Sequence, residues 1–321
     1  YKTHTQGSVE ETTRSSGWRL KEQPYIAERK LTFVPDVAAM EAAFRSGQID
    51  ILYTEGVTNI KQRDALERDL GDKLVLRDIP SASGMALVLN IHRPPWNDIR
   101  AREAVYRAID VERVINTVYF GDGRRTWYFS EGSYTRNPLG PEAVQDLVSY
   151  DPKKAAELVK AAGIDPNHEF EFMVPVEAKE WVDSARLMAE DLSAAGIKTR
   201  INPVVRNIYL QRAGPKPGDF DITMSVLLSY QYARTESGTF WNSTSLEDPE
   251  VDAMVNKIYE TPDAMARDKL SHEFEMMLAR KYSNLVPLLS TVSHYAWYSY
   301  LKGYNEEYLP GNYQIGHWLD K

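Results

Sequence analysis

Two aromatic clusters, in segments with no clear helical or strand pattern, are the first candidates for a binding site. The first cluster comprises Trp127, Tyr128, Phe129 and Tyr134. The second comprises Tyr230, Tyr232, Phe240 and Trp241, with the charged residues Arg234 and Glu236 among them. Rings with polar edges bind ligands that combine apolar faces with hydroxyl or amide groups, such as sugars and peptides. Because binding residues favour loops on a rigid scaffold, we predict that both segments line a ligand cleft.

Core packing is the alternative interpretation of these rings. Large aromatic side chains are mostly buried in folded proteins, so each ring taken alone is explained without a ligand. Both interpretations stay open from the sequence.

A pair of carboxylates raises the question of catalysis. Asp219 and Asp221 flank Phe220, and this spacing places both side chains on one side of a strand. A glycosidase needs two carboxylates at a defined separation, one of them with a raised pKa. The sequence has no HExxH motif, no nucleophile elbow and no ordered triad. We therefore expect no enzyme, with a glycoside or peptide hydrolase on an α/β frame as the alternative.

The sequence gives little support for a metal site, a reactive thiol or a phosphate-binding loop. The chain has no cysteine, and its six histidines form no pair at helical spacing. Gly121-Asp122-Gly123-Arg124 lacks the Lys-Ser/Thr of a phosphate-binding loop and follows a predicted helix, which favours a helix C-cap. His92 and His294 are expected at the surface or at a boundary. We predict neither a metal site nor a cofactor.

Bulk composition narrows the class of protein. With 321 residues the chain exceeds one ordinary core, so two domains or lobes are expected. A net charge of −8 argues against a nucleic-acid partner, because phosphate binding depends on clustered Lys and Arg. No stretch approaches the roughly 18 uninterrupted apolar residues of a membrane-spanning helix.

Strand-like and helix-like patterns alternate along the chain and predict an α/β fold with mixed sheets flanked by helices. A first helix is expected from the cap Asp36 to the stop at Gly47. Two strands are expected at 74–78 and 85–90, a helix capped by Asn97 or Asp98 runs to 109, and Asp151-Pro152 opens another. A further helix is expected to start at Thr261-Pro262, and the tail from 285 shows several short strand-like runs.

Two segments are more specific than a generic α/β pattern. The first runs from Pro35-Asp36 to Phe44-Arg45-Ser46-Gly47-Gln48-Ile49-Asp50-Ile51. The second is Asn90-Ile91-His92-Arg93-Pro94-Pro95-Trp96-Asn97-Asp98-Ile99-Arg100-Ala101-Arg102-Glu103-Ala104, followed by Ala108-Ile109-Asp110. Together with Tyr150-Asp151-Pro152 and Gly218-Asp219-Phe220-Asp221, they resemble the family 5 extracellular solute-binding proteins, the dipeptide, oligopeptide and nickel receptor type. Asp221 matches the strand-opening aspartate of that family, for which a turn or cap role is expected.

The resemblance implies a periplasmic-binding-protein-like type II fold whose N-terminal part is absent here. Residues 1–89 would be the last part of lobe I, 90–287 lobe II, and 288–321 a return segment into lobe I. The implied function is the substrate-binding component of an ABC importer. It would capture a peptide or another small solute, such as an oligosaccharide, between two lobes and deliver it to the permease. A monomer outside the cytoplasm is expected, in the periplasm or lipid-anchored at the outer face of the membrane.

The peptide-binding pattern of the family is not fully present. Peptide-binding members carry an Arg shortly before a segment whose aspartate pairs with the ligand's α-amine. Here the basic position is Met224, and the aspartate falls on Tyr230 or Ala233. Recognition of a free peptide terminus therefore does not carry over, and Arg234 or Glu236 are substitutes that the spacing does not require.

Overall fold

The computed structural model describes residues 3–5, 9–13, 25–34, 36–52, 59–126, 143, 146, 149–214, 218–228, 248–282, 285–304 and 318–320. The chain divides into two compact units. Unit 1 contains residues 1–79 and 292–321, and unit 2 contains residues 80–291. The assignment of residues to lobes I and II stays a prediction.

The described strands are β1 (Thr3–Thr5), β2 (Val9–Thr13), β3 (Glu28–Thr32), β4 (Ile51–Leu52), β5 (Leu74–Leu89), β6 (Gly123–Arg125), β7 (Glu169–Pro175), β8 (Lys198–Val204), β9 (Ile222–Leu228), β10 (Leu285–Tyr298), β11 (Leu301–Lys302) and β12 (Trp318–Leu319). The described helices are α1 (Val37–Arg45), α2 (Ile60–Leu70), α3 (Ile99–Ala108), α4 (Val111–Val118), α5 (Pro152–Ala161), α6 (Lys179–Ala194), α7 (Arg206–Ala213), α8 (Pro249–Tyr259) and α9 (Ala264–Met277). A π-helical turn, Leu278–Tyr282, follows α9 directly. None of these helices combines the length and apolarity needed to cross a bilayer.

The sheet of unit 2 mixes parallel and antiparallel pairs, as predicted. Its strands lie in the order β10-β5-β9-β7-β8, and β6 pairs with β10. β7 is parallel to both β8 and β9, whereas β5 is antiparallel to β9. The predicted α/β class is therefore confirmed.

Helices cover this sheet through apolar side chains at helical spacing. On α6, the residues Val182, Ala185, Met188 and Leu192 are buried, which follows the three- and four-residue period of one helix face. They join Phe172 of β7 in the core of unit 2. Ala189 lies on the same face and is partly buried.

Most of the helix caps predicted from the sequence are present in the structure. Asp36 accepts a hydrogen bond from the backbone N–H of Ala39 at 2.7 Å, and Gly47 adopts a left-handed φ of 75° just beyond α1. Asp98 rather than Asn97 caps α3, and Asp151 caps α5. Gly121 has φ 80° and donates its N–H to the carbonyl oxygen of Ile115, which confirms the predicted C-cap.

Unit 1 has its own small cores. Phe44 of α1, Leu52 of β4, Leu66 of α2 and Ala296 of β10 are buried together with Tyr298. The hydroxyl of Tyr298 donates to the carbonyl oxygen of Phe44 at 2.7 Å. β1, β2 and β3 form a separate antiparallel sheet.

Several predicted boundaries were wrong. Residues 74–89 form one continuous strand rather than two, because Ser83 and Gly84 pair with Leu228 and Leu227 of β9 despite their low strand propensity. Residues 285–298 likewise form one strand rather than several short runs.

Two helices also differ from the prediction. The helix expected from Thr261 begins at Ala264, capped by Asp263. The sequence pattern did not indicate α7 at all.

His294 is not a surface residue. Its side chain is only 2% exposed, and its ring Nδ1 lies 2.8 Å from an oxygen of Asp78, which belongs to the same unit. A polar ring inside a core is retained when it has a hydrogen-bond partner, and a partner 216 residues away in sequence could not be predicted from local pattern.

Candidate functional site

The carboxyl ends of three parallel strands lie at one edge of the sheet of unit 2. β7, β8 and β9 end at Pro175, Val204 and Leu228. The chain passes from β7 through α6 to β8 on one side, then through α7 to β9 on the other side of β7. The connections therefore reverse direction between β7 and β9. In open α/β sheets such a switch point, at the carboxyl ends of the strands, is where ligands bind.

Apolar side chains are exposed at this carboxyl edge. Val176 follows β7 and is 45% exposed, while Val205 and Ile208 follow β8 and are 54% and 40% exposed. The backbone N–H of Val176 donates to the carbonyl oxygen of Val204 at 2.8 Å, which holds the two turns side by side. Single exposed apolar residues are common on protein surfaces, so it is the shared place of these three at the switch point that makes them candidates for ligand contact.

A carboxylate stands beside these apolar residues. Glu177 accepts a hydrogen bond from the backbone N–H of Arg206 at 3.0 Å, at the start of α7. That hydrogen bond and one from the backbone of Glu177 itself lower the pKa of its carboxyl group. Glu177 is therefore negatively charged at neutral pH and fixes the turn on which Val205 lies.

The second predicted aromatic segment follows β9 in sequence. Leu228 is the last residue of β9, and Tyr230, Tyr232, Arg234, Glu236, Phe240 and Trp241 follow it in sequence. These six residues lie outside the described part of the chain. The same holds for Trp127, Tyr128, Phe129 and Tyr134, which follow β6. Their role in ligand binding stays a prediction, as does the alternative of core packing.

Met224, at the basic position of the peptide-binding pattern, faces the interior. It is fully buried in β9, and its carbonyl oxygen accepts a hydrogen bond from the hydroxyl of Tyr209 at 2.6 Å. This position therefore supplies core packing and no charge for a ligand.

The carboxylates considered for catalysis belong to an ion-pair network at the opposite, amino-terminal edge of β7 and β9. Arg93 binds Asp219 at 2.7 Å and Asp221 at 3.4 Å. Arg212 binds Glu171 at 2.6 Å and Asp219 at 3.1 Å. Asp219 and Asp221 therefore contact the same guanidinium group. This agrees with the prediction that their side chains lie on one side of the strand.

This network favours ionised carboxylates. The hydrogen bond from Arg93 lowers the pKa of Asp219, and that from Arg212 lowers the pKa of Glu171. A general acid needs the opposite shift, toward a carboxyl group that stays protonated at neutral pH. Asp219 and Glu171 therefore lack the electrostatic environment that a glycosidase acid requires.

Asn90, the first residue of the long sequence motif, is a fastening point that sequence reasoning missed. Its side-chain amide donates to the carbonyl oxygens of Gly218 at 2.8 Å and Phe220 at 2.9 Å, and its own oxygen accepts from the N–H of His92. The motif thereby joins the end of β5 to the segment that leads into β9. The signal in the sequence was a polar residue at the end of the apolar strand expected at 85–90.

No metal centre is formed by the residues that the structure describes. Within those ranges, no group of three or more His, Asp or Glu side chains is arranged to hold an ion.

The fold defines the class of protein. The oligopeptide-binding protein AppA of Bacillus subtilis, solved in complex with a nonapeptide, matches with a TM-score of 0.79 at 20% identity. The match covers 100% of this chain and 66% of AppA. At this identity the likeness shows the fold, and the predicted type II periplasmic-binding-protein fold is confirmed.

The family follows from the sequence match. The model of the bacterial extracellular solute-binding proteins, family 5, matches residues 2–248. The chain therefore belongs to that family.

Two curated relatives are similar to this chain. Heme-binding protein A of Haemophilus influenzae is 24% identical over 299 residues, covering 85% of this chain and 50% of the relative. Di/tripeptide-binding protein 1 of Pseudomonas aeruginosa is 30% identical over 165 residues, covering 49% of this chain and 29% of the relative. The chain thus spans at most about half the length of these two relatives.

Proposed function

We propose that this chain is part of the substrate-binding component of an ABC importer, which captures a small solute and delivers it unaltered to a permease. Family membership sets the class. The observation that carries the proposal to this chain is the carboxyl edge of unit 2, where exposed Val176, Val205 and Ile208 lie at a topological switch point. The second aromatic segment follows β9 in sequence, and the last residue of β9 lies at that same edge.

A peptide is the proposed solute. An oligosaccharide is the alternative, because aromatic rings with polar edges also bind ligands that carry many hydroxyl groups. The name of the Pseudomonas aeruginosa relative and the nonapeptide in the AppA structure support a peptide. Because Met224 is buried, charge recognition of a peptide terminus would fall to Arg234 or Glu236, beside the rings of Tyr230, Tyr232, Phe240 and Trp241. Trp127, Tyr128, Phe129 and Tyr134 would form the other part of the binding surface.

Location and partners follow from the same proposal. The protein would act outside the cytoplasm, in the periplasm or anchored by lipid at the outer face of the membrane. It would act as a monomer and make contact with the permease of the importer. Solute release would follow from a shift between conformations, with no bond made or broken.

Isothermal titration beside a turnover assay tests this proposal. The chain is titrated with panels of di- to pentapeptides, oligosaccharides and haem, the last because of the Haemophilus influenzae relative. Saturable heat with peptides, together with recovery of intact ligand, is expected. Accumulation of hydrolysis products would support the hydrolase alternative instead, and saturation by haem alone would replace the peptide as the solute.

A further inference from the structure

Phe120 has an unusual backbone conformation just after the end of α4. Its φ is 57°, and among the described residues it is the one residue other than glycine with a positive φ. In this left-handed region the Cβ atom of an L-residue crowds the following carbonyl oxygen, a cost that glycine avoids. Since glycine would take the conformation freely, a phenylalanine at this position needs an explanation beyond the ending of the helix.

The side chain of Phe120 is not part of the core. The residue is 44% exposed, whereas Val114 and Ile115 of α4 are 1% and 3% exposed. A fully buried ring would offset the cost of its backbone conformation through packing, and a partly exposed ring offsets less of it. Strained residues of this kind cluster at ligand-binding and active sites, where the backbone conformation serves to place a side chain.

Tyr119 fixes the end of α4 against the sheet of unit 2. Its hydroxyl donates a hydrogen bond to the Sδ atom of Met85 in β5, at 3.4 Å. Met85 pairs with Val226 of β9, close to the end of that strand at Leu228. Because Phe120 follows Tyr119 directly, it lies beside the carboxyl edge of the sheet.

The start of α6 provides a second reference point for the end of α4. Burial raises the pKa of the Tyr119 hydroxyl, and the negative charge of Glu180, in the first turn of α6, adds to this rise. The hydroxyl therefore stays protonated at neutral pH and keeps its hydrogen bond to Met85. Since α6 begins shortly after β7 ends at Pro175, Tyr119 lies near the carboxyl ends of both β7 and β9.

We propose that Phe120 is a further ligand-contact residue, whose ring binds an apolar side chain of the solute at the carboxyl edge of unit 2. This inference rests on the proposed function and deepens it by naming the kind of group that is recognised. Ligands of open α/β sheets bind at the carboxyl edge of a switch point, and an aromatic ring supplies a large apolar contact area there. The exposed side chains of Val176 and Val205 at this edge have the same apolar character.

Thermal unfolding tests the backbone conformation without any ligand. Phe120→Gly and Phe120→Ala both remove the ring, but only glycine adopts the left-handed conformation without strain. Phe120→Gly should therefore unfold about 2–4 °C above Phe120→Ala. An equal or lower midpoint for Phe120→Gly would overturn the strain at this position.

Phe33 offers a matched control for that comparison. It is 47% exposed, similar to Phe120, and its φ is not positive. At such a position glycine only adds freedom to the unfolded chain, so Phe33→Gly should unfold at or below the midpoint of Phe33→Ala. A glycine advantage of the same size at both positions would also count against strain at Phe120.

Two peptides with the same backbone and termini test the contact. Trileucine and triserine are titrated into the unsubstituted chain, Phe120→Gly and Phe33→Gly. Phe120→Gly should bind trileucine about three- to tenfold more weakly and triserine less than about twofold more weakly, because only the leucine side chains lose an apolar contact. Phe33→Gly should bind both peptides as the unsubstituted chain does.

The outcomes separate the contact from the function on which it rests. Unchanged trileucine binding in Phe120→Gly, beside saturable binding by the unsubstituted chain, overturns the contact alone. An equal loss for both peptides also overturns it, because Phe120 would then maintain the site without recognising an apolar side chain. Binding of neither peptide by the unsubstituted chain overturns the proposed peptide function and the contact with it, whereas the unfolding midpoints still decide whether Phe120 is strained.

Discussion

The carboxylate of Asp221 accepts a hydrogen bond from the backbone N–H of Glu171 at 2.9 Å. This contact joins the residue before β9 to the third residue of β7, and Phe172 pairs with Ile222 in the next position of the register. The contact lies at the start of the β7–β9 pair, and β9 continues for seven positions beyond Asp221 to the carboxyl edge. The aspartate of the family motif therefore bonds its own strand to the neighbouring strand at the edge opposite the candidate site.

Removal of the Asn90 side chain should destabilise unit 2 strongly. Asn90→Ala leaves the buried carbonyl oxygens of Gly218 and Phe220 without the amide that satisfies them. We expect a loss of about 2–4 kcal/mol in the free energy of unfolding, measured by urea denaturation. Asn167→Ala, at an exposed position, should change it by less than about 0.5 kcal/mol. Equal effects of the two substitutions would refute the fastening role of Asn90.

Two arginines of the same motif should differ in their effect on stability. Arg102 is buried and donates to the carbonyl oxygen of Trp96 at 2.6 Å, whereas Arg100 is exposed and pairs with Asp98. Arg102→Ala should lower the free energy of unfolding by about 2–3 kcal/mol, because it removes packing and a charged hydrogen bond. Arg100→Ala should cost at most about 1 kcal/mol. Thermal unfolding of the two variants in parallel distinguishes them, and a larger loss for Arg100→Ala would contradict the structure.

The stability of unit 2 should fall in acid partly through Glu171. Arg212 lowers the pKa of Glu171 below 4.5, the ordinary value for a glutamate. The ionised carboxylate therefore stabilises the fold above about pH 4.5, and that contribution is lost as the pH falls through the lower pKa of the folded state. Glu171→Gln should be about 1 kcal/mol less stable at pH 7 and should lose less on acidification.

Asp191 also affects how the stability of unit 2 depends on pH. Burial raises the pKa of Asp191, so ionisation of that group opposes folding and its titration changes stability in the opposite direction. The difference between the unsubstituted chain and Glu171→Gln, measured by urea denaturation from pH 7 to pH 3, isolates Glu171. A pH-independent difference would contradict the lowered pKa of Glu171 in the folded chain.

Local chemistry predicted much of the scaffold. The caps Asp36, Asp98 and Asp151 and the buried stripe of α6 follow from residues close together in sequence. The family resemblance added the type II fold, which periodicity alone would not have specified. Where the family motif and the local sequence pattern both indicated a helix, the structure contains that helix within a few residues of its predicted position.

What the sequence could not show depends on distant partners. The amide of Asn90 meets carbonyl groups 128 and 130 residues away, and Tyr298 meets Phe44 across 254 residues. The continuous β5 exists because β9 pairs with its low-propensity middle. The carboxyl-edge residues Val176 and Val205 were missed because an exposed valine is unremarkable until its place at a switch point is known.

If the two aromatic segments bind a small solute and leave it chemically unchanged, removal of one ring from each segment should weaken binding. An equimolar tripeptide mixture is titrated into the unsubstituted chain, into Trp127→Ala/Trp241→Ala, and into Trp318→Ala, a control at an exposed position of β12. We expect at least about tenfold weaker binding for the double variant, unchanged binding for the control, and peptides recovered intact. Equal affinity in all three proteins would show that the two segments do not bind the solute, and cleaved peptides would show that the solute is altered.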